Sequence, residues 1–474
     1  MNLETRTTLF SRAAILSQRF ARTGRQGLLV TLAWVACAQA DADLFDRTLP
    51  NGMKVIVRED RRAPVVVSMV WYRAGSMDEV NGKTGVAHVL EHMMFKGTES
   101  VPPGEFSRRI ARAGGRDNAF TSRDHTAYHQ QLANTQLELA LRLEADRMAN
   151  LVLTEEEFSK EIQVVMEERR KRTEDQATSR LYEQLMATAY VAHPYRAPII
   201  GWMNDLENLT VEDTREWYEH WYVPNNAVLI VVGDVRAAEV FNLAQTYFGP
   251  ISARPLPPRK PQGEPAQQGT RRFSLKAPAE LPRLVMAYHV PTLRDIYEEW
   301  EPYALSVLAA VLDGHDAARL DRSLVRERNL AVNAGAYYDG ANRGPALFVL
   351  DGTPAPGTTL AVLESAFKAE IQRILDEGVG AKEMQRVKAQ VIAGQVFAMD
   401  SVFNQGRLMG SFEMAGLPYY SARAQSEKLT AVTSEQVQAV ARMYLVDDKL
   451  TVAQLDPLPV TERKPAGPSL ETRH

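Results

Sequence analysis

The apolar positions of this chain change period along its length, and the changes mark out its elements. Leu49-Pro50-Asn51-Gly52-Met53 is a turn signal between strand-like runs, and Val65 to Arg73 is a mostly apolar stretch that predicts a strand. From Val86 the period lengthens: apolar residues at 86, 89, 90, 93 and 94 share one helical face. Asn118-Ala119-Phe120-Thr121-Ser122 and Asp124 to Leu132 alternate as strands do. Thr154, with Glu157 three residues on, has the form of a capping box opening a second helix, whose inner stripe is Phe158, Ile162 and Val165. Trp217, Tyr218, Trp221 and Tyr222 have helical spacing ahead of the strand Val228 to Gly233, which points to core packing rather than a binding box.

Residues 253–268 hold five prolines among glycine and polar residues, so neither a helix nor a central strand passes through them. This linker separates an N-terminal domain, 41–252, from a C-terminal domain, 269–460, and residues 461–474 have little to bury. Beyond the linker a strand, Arg283 to His289, is followed by a helix, Tyr303 to Leu312. Strand then helix recurs at matching places, and the fold class expected is α+β, built from two related α/β sandwich halves.

Composition narrows the reading without changing it. With 45% hydrophobic and 24% charged residues, net charge −4 and no later apolar run near 18 residues, the chain past residue 40 reads as globular, with no stable membrane span. Nucleic acid is not suggested: the run Glu168-Arg169-Arg170-Lys171-Arg172 is most simply the solvated end of a helix. The front of the chain differs. Arg6, Arg12, Arg19, Arg22 and Arg25 face one acid, Glu4, and the apolar run 27–36 ends in Ala38-Gln39-Ala40 before Asp41. That run is about half of what spans a bilayer, so residues 1–40 are read as an export signal that delivers the chain to the periplasm or outside the cell. An Arg-rich mitochondrial presequence is the alternative. Cys37, the only cysteine, falls inside this segment, which excludes thiol chemistry and disulfides from the mature chain.

Candidate chemistry concentrates in Ala87-His88-Val89-Leu90-Glu91-His92-Met93-Met94-Phe95. One helical turn separates His88 from His92, close enough for both imidazoles to hold one metal ion, with Glu91 beside them. In this H-x-x-E-H pattern the carboxylate takes a proton from water that zinc has acidified to a pKa of about 7. A third ligand must come from elsewhere. On the helix after Thr154, Glu161 and Glu168 both flank the apolar stripe, whereas Glu167 is turned about 100° from Glu168.

Together these motifs resemble the M16 (pitrilysin, insulinase or inverzincin) family of zinc peptidases, in its processing-peptidase-like M16B branch. The family pattern follows H-x-x-E-H with a segment of the type E-x-x-V-V-x-x-E, which Glu161 to Glu168 matches. Gly115-Arg116-Asp117-Asn118-Ala119-Phe120-Thr121 and Tyr222-Val223-Pro224-Asn225-Asn226-Ala227, running on to Gly233-Asp234-Val235, are similar to family phrases too, so the resemblance covers most of residues 46–250. It implies a clam-shell of two halves around a catalytic chamber and one zinc ion per chain held by His88, His92 and Glu168. Glu91 would be the general base and Glu161 the second catalytic acid, in support. Asn118, Ala119 and Phe120 would form a strand edge that binds substrate backbone.

One departure matters. Where catalytic members carry an arginine and a tyrosine in a segment of the type L-R-x-x-x-x-L-G-Y, this chain places Val325 and Val332. Neither donates a hydrogen bond to a developing oxyanion, an omission worth around 10² to 10³ in rate. The branch implies a remedy: a heterodimer with an M16-like subunit that supplies the pair. Arg322, Arg326, Tyr337 and Tyr338 are near enough in sequence to serve as substitutes within the chain. The expected activity is zinc-dependent endopeptidase action on peptides or extended protein segments. A non-catalytic assembly subunit and a metal-dependent peptide-binding protein are the alternatives.

Overall fold

The structure, a computed structural model, describes residues 43–459 apart from 316. The export signal expected at 1–40 and the tail expected at 461–474 lie outside the described residues. The described residues from Asp46 onward belong to one compact unit, whose architecture follows.

The first half contains six strands, β1 (Leu44–Thr48), β2 (Lys54–Glu59), β3 (Val65–Tyr72), β4 (Arg116–Thr121), β5 (Thr126–Ala133) and β6 (Ala227–Gly233). Its helices longer than one turn are α1 (Val86–Met93), α2 (Glu105–Arg112), α3 (Leu137–Asn150), α4 (Glu155–Arg169), α5 (Ala177–Ala189), α6 (Val211–Trp221) and α7 (Ala237–Tyr247). The second half contains β7 (Arg271–Pro278), β8 (Arg283–Val290), α8 (Glu301–Leu312), β9 (Ala331–Tyr338), β10 (Ala346–Pro354), α9 (Leu360–Glu377), α10 (Ala381–Ala398), α11 (Val402–Met414), α12 (Ser421–Ala431), α13 (Ser434–Tyr444) and β11 (Leu450–Leu458).

Strand order makes the duplication explicit. The first sheet runs β1-β2-β6-β3-β5-β4 and the second β7-β11-β8-β10-β9. In each, one parallel pair (β2 with β6, β7 with β11) is followed by antiparallel neighbours out to the edge strand, β4 or β9. Helix α1 between β3 and β4 therefore matches α8 between β8 and β9.

Each half lends the other a helix. Along β3, Val66, Val70 and Tyr72 join the core beneath α1, while Val67, Met69 and Trp71 are as fully buried on the opposite face. That second face is covered by α11 of the other half, whose Gly406 and Gly410 sit against Met69 and Trp71 so closely that a Cβ at Gly410 would stand 2.1 Å from the indole. In return, α5 lays Leu181, Leu185 and Ala189 on Leu275, Ala277, Val285, Ala287, Ala453 and Leu455 of the second sheet. Burial on both faces explains why β3, β6 and β8 read as unbroken apolar runs rather than alternating ones.

The linker takes no regular secondary structure and is tied down along its length. Glu264 accepts the backbone N–H groups of Val191, Ala192 and His193 at 2.8, 3.0 and 2.9 Å. Two local expectations need correcting. Thr154 does cap α4 by accepting from Glu157 N–H at 3.3 Å, but the Glu157 carboxylate turns to Lys160 rather than completing a box. The basic run after Glu168 is not uniformly solvated: Arg169, the last residue of α4, continues the buried stripe of Phe158, Ile162 and Val165 and puts both terminal nitrogens on Glu183 at 2.8 and 3.1 Å, and only after it does the chain widen into a π-helical turn at Arg170–Glu174. Among the described residues no helix is long and apolar enough to cross a membrane.

Candidate metal centre

Helix α1 starts abruptly. Its cap, Gly85, has φ 90°, and a Cβ there would meet the Ile200 carbonyl at 2.6 Å, so only glycine fits. The Glu79 carboxylate, from the turn after β3, accepts the N–H groups of Gly85 and Ala87, both at 2.9 Å, and so fixes the positive end of the helix. Burial pushes the Glu79 carboxyl up to about 8 against the pull of those two bonds.

The helical spacing puts the His88 and His92 rings 4.9 Å apart, centroid to centroid. Helix α4 brings Glu168 opposite them: Oε1 lies 3.8 Å from His88 Nε2 and Oε2 3.4 Å from His92 Nε2. One ligand atom from each of the three falls within 4.8 Å of the others. Ligands about 2.0–2.1 Å from a tetrahedral ion stand roughly 3.4 Å apart, so small side-chain adjustments would bring all three onto zinc. The donor set also fits in its hydrogen bonding. Glu161 Oε2 holds His92 Nδ1 at 3.2 Å, which turns Nε2 toward Glu168, and Lys96 pairs with the other Glu161 oxygen. His88 Nδ1 is buried with no partner among the described residues.

Electrostatics differ sharply within this group. Burial pushes His88 down to about 4. His92 is buried too, but Glu161 and Glu168 outweigh that burial and hold it up at about 9. Burial would raise Glu168, yet His92, His88 and Arg172 bring it down to about 2. Glu91 goes the other way, raised chiefly by burial, and Thr121 Oγ1 donates to its Oε2 at 2.5 Å.

These side chains open into a cavity of about 1710 Å³ between the halves. Asn118, Ala119 and Phe120 lie along its wall on β4, the free edge of the first sheet. Asn118 Oδ1 accepts the neighbouring Ala119 N–H at 2.8 Å, and the Phe120 ring packs on Trp71 with His125 and His129 to either side. Those two histidines, spaced like a ligand pair, are therefore packing groups. Of the four in-chain substitutes for the Arg/Tyr pair, only Tyr337 lines the cavity. Arg326 pairs with Asp321 at 2.6 Å, Arg322 faces Glu327 at 3.7 Å, and Tyr338 donates to the Pro291 carbonyl at 2.7 Å. Val325 packs against the second core and Val332 is exposed.

Thr121, Lys96 and Glu79 were not singled out in the sequence. Asp78-Glu79 ahead of Gly82 and Gly85 is an acid signal before a helix start that points to Glu79. Nothing local marks Thr121 or Lys96, whose partners are remote in sequence.

Fold and site together define a duplicated α+β protein with an inverted histidine motif and a glutamate from a second helix. A model of the insulinase family (peptidase family M16) matches residues 54–202, and a model described as the peptidase M16 inactive domain matches 208–391. The chain is 32% identical over 443 residues to zinc protease PqqE of Helicobacter pylori, covering 91% of this chain and 97% of that one. It is 26% identical to YmxG of Bacillus subtilis, named an uncharacterized zinc protease, covering 85% of this chain and 95% of the relative. The crystal structure of a protease from Helicobacter pylori superposes with a TM-score of 0.83 at 29% identity, over 87% of this chain and 99% of that one. The chain belongs to the M16 family of peptidases.

Proposed function

We propose that the chain is a zinc-dependent endopeptidase that cleaves peptides or extended protein segments. The observation that carries this reading is the convergence of His88, His92 and Glu168 beside Glu91 on the wall of one large cavity. His88, His92 and Glu168 would hold one zinc ion, with Glu161 orienting His92 as a positioning residue. Bound there, zinc supplies Lewis-acid polarisation of the scissile carbonyl and acidifies water. Glu91, held by Thr121 and raised by burial, takes the proton from the attacking water and passes it to the leaving amine. Asn118, Ala119 and Phe120 would pair with the substrate backbone along the β4 edge, which binds extended chains with little regard to sequence.

The reading extends to the rest of the chain: an export signal at 1–40, domains at 41–252 and 269–460 around the linker, and periplasmic or secreted location. It also places the chain in the M16B branch as the metal-binding subunit of a heterodimer. What supports a partner is that Val325 and Val332 offer no donor and that, of the nearby substitutes, only Tyr337 lines the cavity.

The test is hydrolysis of a quenched fluorescent library of unstructured peptides by zinc-loaded chain from residue 41, with and without an M16-like partner that carries the Arg/Tyr pair, beside Glu91→Gln. Activity that needs the partner and is lost in Glu91→Gln is the expected result. Activity of the chain alone would overturn the heterodimer requirement, and no activity in either mixture, with zinc bound, would overturn the peptidase reading.

A further inference from the structure

Six cationic side chains line the cavity, and four of them are engaged. Lys96 pairs with Glu161, Lys171 lies 3.7 Å from Glu167, Arg172 lies 2.5 Å from Glu168, and Arg196 donates to the Val191 carbonyl at 3.0 Å. Arg123 and Arg407 are different. Neither guanidinium has a hydrogen-bond or ion-pair partner among the described residues, and Arg123 Nε is buried without an acceptor. Arg123 instead lies over the Tyr195 ring at 5.6 Å. A buried polar atom left without a partner is costly unless something supplies one.

The two come from different halves of the chain. Arg123 stands two residues past Thr121, the residue that holds Glu91, where β4 ends. Arg407 is on α11, between the turn whose Phe403 covers His129 at 4.8 Å and the turn whose Gly410 sits on Trp71. His129 and Trp71 are the rings that flank Phe120, so Arg407 overhangs the cavity-lining end of β4. Tyr337 reaches the same cavity from β9. Tyr337 is exposed at that wall, where desolvation and Asp339 push its phenol up while Arg123 and Arg407 pull the other way. The acids nearby do not cancel them. Asp339 accepts from Tyr337 at 3.4 Å and from Ala341 N–H at 3.0 Å, and Asp124 is committed to Tyr195 and the Arg343 N–H.

We propose that Arg123 and Arg407 form a carboxylate-binding subsite beside the metal centre, taking an Asp or Glu side chain or the C-terminal carboxylate of an extended peptide. It rests on the peptidase reading for its substrate. Two guanidiniums with free donors recognise a carboxylate by charge-assisted, bidentate hydrogen bonds, which neither an amide nor an ammonium can replace. The β4 edge binds any backbone; this subsite selects among side chains or ends.

The experiment measures binding, so it does not require turnover. The zinc-loaded Glu91→Gln chain is titrated into fluorescein-labelled extended peptides that differ by Glu, Gln or Lys at one scanned position, each made as C-terminal acid and amide. Fluorescence anisotropy should show about tenfold tighter binding for the acidic member of a pair. A Glu-over-Gln preference assigns the side chain, and an acid-over-amide preference assigns the C-terminus. Adding Arg407→Glu should abolish that preference or turn it toward Lys, and Arg123→Gln should bring the ratio close to one. Arg407→Gln serves as the second variant if the charge reversal lowers the Tm. Equal affinity for all peptides, or a preference undiminished in both variants, overturns the subsite. Wild-type hydrolysis without acidic preference sinks the subsite alone, whereas acidic preference in binding without hydrolysis sinks only the peptidase reading.

Discussion

Apart from β1, which has no counterpart, the two halves share strand order and strand directions and differ in what their matching helices carry. Counted from the helix cap, the third, sixth and seventh residues of α1 are His88, Glu91 and His92, and those of α8 are Tyr303, Ser306 and Val307. On α4 the seventh and fourteenth residues after the cap are Glu161 and Glu168, while on α10 they are Val387 and Gly394. Every ionisable group of the metal centre thus has an apolar, small or aromatic counterpart. Helix α8 is apolar nearly all round and buries Leu305, Val307 and Leu308 beside Tyr303, whose hydroxyl donates to the Ile296 carbonyl at 3.0 Å. The comparison teaches that the sandwich does not need the metal residues to fold. Burying two histidines and three carboxylates costs stability unless they are paired, so their presence in one half only is what the proposed chemistry would require.

Writing the second half's residues into the first is the strongest way to break the comparison. His92→Val copies Val307, and zinc measured by atomic absorption should fall well below one per chain while circular dichroism stays native. Glu91→Gln should keep its zinc and lose peptide hydrolysis by about 10² to 10⁴-fold, the range for a general base. Zinc lost from Glu91→Gln would instead make Glu91 a ligand. Glu161→Gln removes only the group behind His92 and should weaken zinc about 10- to 100-fold in a chelator competition. An unchanged affinity would reduce Glu161 to a partner of Lys96.

The exchanged helices sharpen the contrast from the other side. Helix α11 approaches the first sheet through Gly406 and Gly410, and α5 approaches the second through leucines and an alanine. Gly410→Val drives a side chain into Trp71 and should cost about 1–3 kcal/mol in denaturant unfolding, as overpacking does. A neutral result would mean that α11 lifts freely and that the halves are less firmly joined than α5 and α11 suggest.

Much of this was legible in the sequence, and the boundary of legibility is physical. The motif residues could be read because a helix turns a fixed spacing into a shared face: His88 with His92, and Glu161 with Glu168. The strands β3, β6 and β8 could be read from their apolar runs, and the recurrence of strand then helix suggested a duplication. The helix exchange could not. Helices α5 and α11 have ordinary amphipathic patterns, and no local feature says which sheet will receive them. Thr121 on Glu91 and Lys96 on Glu161 are likewise long-range contacts. Arg169 misled although its spacing, four residues after Val165, puts it on the buried stripe of α4, because the Glu183 that pairs with it there comes from another helix.

The smallest effect expected comes from Ser306, which occupies in α8 the position Glu91 holds in α1. Its Oγ donates back to the Pro302 carbonyl at 3.0 Å, one turn earlier, so the hydroxyl is satisfied within its own helix and faces no partner in the metal cavity. Ser306→Ala gives up that bond and gains helix propensity, and the two should leave stability within about 0.5 kcal/mol of wild type. Zinc content and kcat should not move. Thermal unfolding and steady-state hydrolysis measured side by side decide it, because the two halves make opposite demands on this position. If kcat falls while Tm holds, the second half contributes a hydroxyl to the chemistry, and the division into one reactive and one structural half fails at the residue where the sequences differ most in kind.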